Sequence, residues 1–416
     1  MQSEPHAEPG TSAESIGAVR WAVLAGVWLC YASFGLVATS LAPLVPVIVE
    51  DLAIGHGAMG SILGAWQLVY IFAAVPCGLL LDRIGARHAI AIGGLFIAAS
   101  AYGRSVASGY VELLFAVGLF GIGGPIVSAG APKVVTRLFR GPDRGLAMGI
   151  YMTGPAIGSI VSLTLTHAVL LPVLGGWRAV LEVWALGAVA AALLWWAVAG
   201  RAGGATAAEA GIPSGRPGQL ATLRNLVGLP AVPLLLAMAV GLFAFDHGLG
   251  NWLPELLRSG GLDLIEAGYW ASIPTVVGIA GSLLIPRLAT PDRRYRILFG
   301  LSLAAFGASL LLQTTGAATL LPGLLLQGIA RSSLMTILIL TLVELPSIGE
   351  ERAGAASGLF FSAAEVGGVL GPLGLGLLYD ATGTFGPGLF TLTGIAAALC
   401  LATVRLSAIA HGTTRT

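Results

Sequence analysis

Four ionisable side chains stand inside apolar runs, far from any polar stretch: Asp246, His247, Arg331 and Glu365. An ionisable group at bilayer depth is costly, and it marks a candidate functional site. Arg331 and Glu365 each lie about a dozen residues into their own run, at matching depth. Two chemistries fit that placement. One is a structural ion pair. In the other, Arg331 anchors an anion, because a guanidinium stays charged and offers a planar fork to a carboxylate. Glu365 is then a proton site, and a proton arriving there frees Arg331 for the anion. Asp246 and His247 are neighbours in sequence, so on a helix they point about 100° apart. They fit either a gating or proton-coupling role or a packed, satisfied polar pair. The first half of the chain offers neutral groups at similar depth: Tyr31, Gln67, Tyr70 and Tyr151, with Trp66 beside them. These are the expected small-molecule contacts from that side. Trp252, near the end of its run, either joins them or belongs to an interfacial aromatic belt.

Composition says what must position these groups. Of 416 residues, 56% are apolar, 60 are Gly and only 10% are charged. Soluble domains carry about 25% charged residues. A charged surface therefore cannot be made, which excludes a soluble enzyme, a nucleic-acid binder and a disordered scaffold. The net charge of +1 supplies no field for an acidic partner. Cys30, Cys77 and Cys400 lie in apolar runs without metal spacing and read as packing residues. No phosphate-binding G-x4-G-K-[ST] loop, no H-E-x-x-H and no nucleophile–base constellation stands out, so no cofactor and no metal is expected.

Apolar runs of membrane length fall at about 19–49, 59–81, 88–108, 111–135, 144–172 and 177–200. After a break come about 229–257, 266–288, 295–316, 319–344, 353–379 and 386–406. Lipid offers no backbone partners, so spanning segments are helices or a closed barrel. Barrel strands alternate polar and apolar, and these runs do not. The fold class expected is all-α integral membrane, with twelve transmembrane helices in two six-helix bundles. The domains expected are a disordered tail over 1–18, bundles over 19–200 and 229–406, a linker over 201–228 and a tail over 407–416. Most of the 21 basic residues then fall on one side, with Arg104, Arg178 and Arg258 near the other and Arg331 within a span. By the positive-inside rule both termini are expected in the cytoplasm, in an inner (plasma) membrane.

The halves echo each other. Arg144 and Gly145-x3-Gly149-x8-Gly158 are matched by Arg352 and Gly354-x3-Gly358-x8-Gly367. Parallel six-helix repeats are an architecture of secondary transporters. The loop after the second run reads GLLLDRIGARH, residues 78–88. It resembles the signature of the major facilitator superfamily, G-x-L-x-D-R-x-G-R-R, at Gly78, Leu80, Asp82, Arg83, Gly85 and Arg87. Ala86 departs, and the second half carries Ile285-Pro286 where the acid would stand. The resemblance implies a conformational latch formed by Gly78, Asp82, Arg83, Gly85 and Arg87. Asp82 would approach a helix N-terminus across the interface between halves, where negative charge is favoured, and the arginines would hold neighbouring loops.

Within that superfamily, NWLPELLRSGG (251–261), PRLATPDRRYR (286–296) and RGLAMGIYMTGPAIGSI (144–160) look most like the cyanate-permease and nitroimidazole-transport group. Oxalate/formate and monocarboxylate carriers are next. The resemblance implies a monomeric carrier of a small solute, coupled to protons or working by exchange, in contact with lipid and no nucleic acid. The expected solute is a small organic or inorganic anion. Alternatives are an exporter of a neutral or drug-like compound, a transport-dead sensor and a membrane hydrolase or acyltransferase.

Overall fold

The structure, a computed structural model, describes residues 10–201, 224–314, 316–345 and 348–413. Most of the expected linker, 202–223, therefore lies outside the described residues, as do residues 1–9. Every described element is helical. The first bundle holds α1 (Gly10–Thr39), α2 (Val45–Asp51), α3 (His56–Ser105), α4 (Tyr110–Leu138), α5 (Pro142–Leu165), α6 (Leu171–Leu174) and α7 (Trp177–Ala199). The second holds α8 (Ala231–Ser259), α9 (Leu264–Leu288), α10 (Arg294–Leu311), α11 (Ala317–Val343), α12 (Gly349–Thr382) and α13 (Gly386–Thr413). Eleven described helices are long and apolar enough to cross a membrane. One of them, α3, has 50 residues and turns at Gly85, where φ is 79° and ψ is 159°. That left-handed backbone suits a residue without Cβ. It divides α3 into two crossings, which gives twelve.

Three local departures have sequence causes. The first expected run, 19–49, is interrupted after Thr39 by a short turn at Ala42–Leu44 before α2. Pro43 and Pro46 remove two backbone donors there. The fifth run, 144–172, passes through a π-turn over Thr166–Leu170, just before Pro172. Helices also reach into both expected tails, since α1 starts at Gly10 and α13 runs to Thr413. Ala, Ser, Glu and Ile in those segments are compatible with helix, so nothing local stops it at the membrane edge.

The repeat positions are helix crossings. A Cβ on Gly158 would lie 1.9 Å from Ala32 O and 2.7 Å from Leu36 N. One on Gly367 would lie 2.0 Å from Val240 O and 2.8 Å from Ala244 N. So α5 lies on α1 as α12 lies on α8, backbone against backbone, as small residues allow in membranes.

Between the halves, contact is concentrated at the end away from the basic loops. There the start of α3 crosses α12, with Gly60 against the Pro372 carbonyl and Gly376 against that of His56. Likewise Gly268 of α9 sits against the Leu163 carbonyl of α5. At the basic end, Gly78, Gly145, Gly354 and Gly358 meet nothing within 4 Å. The bundles are closed at one end and diverge toward the other.

Candidate functional site

A cavity of about 400 Å³ lies between the bundles. Its walls differ in chemistry. The first half contributes aromatic rings, with Tyr31, Phe34 and Trp66 lining it. The second half contributes Asp246, His247 and Asn251 from α8 and Gln327, Arg331 and Ser332 from α11. Arg331 is the permanent cation among the lining residues. Its side chain is 38% exposed, and its Nε lies 3.4 Å from Asp246 Oδ1. The guanidinium rests over Gly250, one turn along α8, where a Cβ would lie 3.5 Å from Nη1. The acid facing Arg331 is thus Asp246 and not Glu365.

Glu365 points elsewhere. It is 6% exposed, does not line the cavity, and its Oε2 has no hydrogen-bond partner. A Cβ on Gly368 would lie 3.1 Å from that oxygen and 2.9 Å from Gln67 Cγ. Glu365 therefore faces Gln67 of α3 across the interface between bundles. Gln67 is itself buried, and its Nε2 lies 3.3 Å from His247 Nδ1. His247 meets Trp66 edge to face, with ring centroids 5.8 Å apart. Asp246 and His247 both reach the cavity, although their helix positions diverge. Glu365 lies beside Gln67 without a hydrogen bond to it, and from Gln67 contacts lead through His247 toward the Asp246–Arg331 pair.

The remaining aromatic candidates stand behind the wall or away from it. Tyr151 is buried and stacks on Tyr31, centroids 5.8 Å apart. Tyr70 spends its hydroxyl on Ser128, 3.1 Å away. Gln67, Tyr70 and Tyr151 therefore support the lining and do not form it. Trp252 belongs to neither of its expected settings. It is fully buried, its Nε1 donates to Pro372 O at 2.8 Å, and its ring stacks near His56. The helix crossing at Pro372 takes it out of both cavity and membrane surface.

At the basic end, Asp82 pairs with Lys133 of α4, Oδ1 to Nζ 2.6 Å, inside its own bundle. It does not meet a helix N-terminus of the other half, because the bundles are apart there. Arg87 donates from Nε to Trp196 O at 3.1 Å and lies over the Trp196 ring, so it ties α3 to α7. Arg83 is exposed and Gly78 is open. Glu344 pairs with Arg294.

The chemistry expected of Asp82 occurs at the opposite end. Asp380, in the last turn of α12, accepts from the backbone N–H of His56 at 2.8 Å and of Gly57 at 2.7 Å. These are unsatisfied donors of the N-terminus of α3, where a carboxylate is favoured by the helix dipole. The His56 ring sits between Tyr379 and Trp252, with centroids at 3.9 and 5.6 Å. Its nitrogens lie 3.7 Å from Asp380 Oδ1 and 3.9 Å from Glu255 Oε1. Arg258 forks onto buried Glu255 at 2.7 and 2.8 Å.

Sequence reasoning missed His56, Glu255, Asp380, Asn251 and Gln327. Asp380 and His56 are 324 residues apart, and no local pattern links them. Asn251 and Gln327 were findable, since each lies four residues from a named candidate, on the same helix face.

The Major Facilitator Superfamily model matches residues 27–372. Curated relatives that extend over most of the chain include three transporters. The "Uncharacterized transporter YycB" of Bacillus subtilis (strain 168) is 25% identical over 83% of this chain and 83% of its own. A "Quinolone resistance transporter" of Acinetobacter baumannii is 27% identical over 82% of this chain and 83% of its own. A "Hexuronate transporter" of B. subtilis (strain 168) is 24% identical over 88% of this chain and 90% of its own. Among solved structures, the nucleoside transporter NupG superposes with a TM-score of 0.73. It is 13% identical and covers 93% of this chain and 98% of that one, which speaks to the fold alone.

Proposed function

This chain belongs to the Major Facilitator Superfamily, and from that premise we propose that it carries a small organic carboxylate, bound by Arg331 and coupled to a proton on Glu365. That it is a multi-pass membrane transporter of a small solute, and not an enzyme, follows from the family and from relatives that are all transporters. The carboxylate reading goes further and rests on one observation. Arg331 is the permanent cation of the cavity, partly exposed, and paired with Asp246 through a long 3.4 Å ion pair that an incoming carboxylate can replace or share. The hexuronate relative is consistent with an organic acid. None of these three relatives bears a cyanate or nitroimidazole name, so that finer resemblance gains no support from them.

Coupling is proposed through the contact path. Isolated buried charge is expensive, and Glu365 Oε2 has no hydrogen-bond partner. A proton on Glu365 allows the carboxyl to stay in the interface. Its loss favours separation of the bundles at that point, carrying the Gln67–His247 contact with it. The orientation proposed places the basic loops, both termini and the open end in the cytoplasm of the inner membrane. In that orientation the open end faces inward, as expected of a monomer working by alternating access.

The test is uptake into proteoliposomes with imposed pH gradients, using galacturonate and tartrate as probes. Arg331→Lys should bind poorly, because an ammonium lacks the fork. Glu365→Gln should keep exchange between substrate pools while losing pH-driven accumulation. Wild-type uptake by Arg331→Ala would sink the carboxylate reading. A second reading, export of a drug-like compound, is favoured by the aromatic wall of Tyr31, Phe34 and Trp66 and by the quinolone relative. Quinolone binding that survives Arg331→Ala, with no binding of acids, would select it. Binding without flux in every assay would select a sensor.

A further inference from the structure

We propose that Gln327 determines substrate specificity in the central cavity by binding a hydroxyl of a hydroxylated carboxylate whose acid group lies on Arg331. This rests on the carboxylate reading above and names the substrate class more narrowly.

Gln327 precedes Arg331 by four residues on α11, and both side chains line the cavity. Residues i and i+4 share a helix face, and four residues rise about 6 Å. The two groups therefore form a short ladder along one wall. Gln327 is 1% exposed, and neither Oε1 nor Nε2 has a hydrogen-bond partner. Buried polar side-chain atoms are nearly always paired, so an amide with both ends unpaired at a cavity wall needs an explanation.

The backbone holds it there. At the next residue, a Cβ on Gly328 would lie 2.6 Å from Val277 Cβ and 2.8 Å from Pro274 O. The close approach of α11 to α9 fixes where Gln327 starts, so its amide cannot be carried out to the basic end without parting the two helices. Around it the cavity offers neutral polar groups. Thr275 lines the same cavity, and Asn251 uses its Nδ2 on His247 O, leaving its Oδ1 to accept from a ligand.

The chemistry of the ladder is specific. A guanidinium donates only, and it matches a carboxylate. A primary amide both donates and accepts, as a hydroxyl does. A ligand with a carboxylate followed, a few carbons on, by a hydroxyl pairs with both. A ligand with methylenes in the hydroxyl's place leaves the amide unpaired in a buried setting. Sites built to hydrogen-bond a hydroxyl discriminate strongly against analogues that lack it.

The experiment compares binding of galactarate with adipate, and of tartrate with succinate, to the detergent-purified full-length protein. Each pair has the same carbon chain and the same two acids, and differs only in hydroxyls. The wild type should favour the hydroxylated member by about tenfold or more. Gln327→Leu should bring the ratio close to one, by weakening the hydroxylated acid while leaving or improving the other. Gln327→Asn, which keeps the amide on a shorter arm, should fall between. Arg331→Ala should weaken all four. Thermal unfolding of Gln327→Leu should occur no lower than in the wild type, because leucine removes two unpaired polar atoms. A structural role for the amide would lower it.

A preference that persists in Gln327→Leu overturns the assignment. So does a wild type that binds both members of each pair equally, and in that case the carboxylate reading stands. If the wild type binds none of the four acids, the carboxylate reading fails and this inference fails with it.

Discussion

Asp380→Asn should unseat the closed end of the protein without disturbing either bundle. The carboxylate makes two hydrogen bonds, at 2.8 and 2.7 Å, to the first backbone amides of α3, and so joins the second half to the first. A hydrogen bond to a charged group contributes about 1.5–3 kcal/mol, against about 0.5–1.5 for a neutral one. A carboxylate at an exposed helix N-terminus adds roughly 0.3–1 kcal/mol. The Asp380 side chain is 40% exposed, so solvent screens the charge and the low ends of these ranges apply. Asparagine keeps one acceptor and loses the charge, a cost of about 1.5 kcal/mol. Alanine loses both bonds, roughly 3 kcal/mol. Since about 1.4 kcal/mol is a factor of ten, Asn should raise the ratio of opened to sealed molecules about tenfold, and Ala about a hundredfold.

The assay is a spin-label distance distribution between Val106 and Thr384, exposed residues of the two halves beside the sealed end. Cys30, Cys77 and Cys400 are first replaced. The long-distance fraction should grow in the order wild type, Asn, Ala, while the unfolding temperature changes little. Identical distributions in all three proteins would refute the reasoning, for the clamp would then contribute nothing to the balance between states.

Three further outcomes follow from the geometry. Asp82→Asn should express normally and slow turnover in proteoliposomes, since it breaks the pair with Lys133 and removes the charge at the end where the bundles would meet under alternating access; unchanged transport makes Asp82 a bystander. Gly367→Ala should lower the unfolding temperature by several degrees or abolish folding, because its Cβ would lie 2.0 Å from the Val240 carbonyl and overpacking typically costs about 1–3 kcal/mol or more; recovery of a wild-type melting curve would show that α8 and α12 can move apart freely. Arg331→Met/Glu365→Gln should fold yet neither bind the carboxylate nor move protons, whereas wild-type uptake by this double mutant would leave both residues without a part in transport.

The spans were legible in the sequence because lipid reduces the problem to length and hydropathy. Depth along a helix was legible for the same reason: Arg331 and Glu365 do sit mid-helix. Which neighbour each side chain faces was not, because that depends on how a helix is rotated in the bundle. The backbone contact of Gly60 with Pro372 sets that rotation for α12. It puts Glu365 and Gly368 toward Gln67, and it leaves Arg331 to Asp246 on α8. Trp252 illustrates the same limit. Its place near the end of an apolar run fitted a surface belt, yet Trp252 and Glu255, three residues apart, together face inward onto His56. The Asp82 motif identified the family, but motif residues alone do not say which conformation a structure holds.

Backbone-on-backbone seats occur within each bundle and also between bundles at the closed end, where Gly60 meets Pro372, Gly376 meets His56 and Gly268 meets Leu163, so the difference lies in the polar ties. Within a bundle, Gly158 on Ala32 and Gly367 on Val240 are backbone-on-backbone seats, repeated in both halves, with no side chain that could reorient to release them. Between bundles, the principal polar ties are single side chains: Asp380 on the start of α3, and Gln67 on His247. Each can be lost by a rigid rotation of one half against the other, at the cost of a few hydrogen bonds that water can replace. The Arg331–Asp246 pair lies wholly in the second half and would travel with it. Glu365 stands where its own bundle meets Gln67 of the other, so whatever changes its charge acts directly on the surface that has to part. On the proposed coupling, that position, more than its depth in the membrane, is what would let a proton on Glu365 bias the rotation.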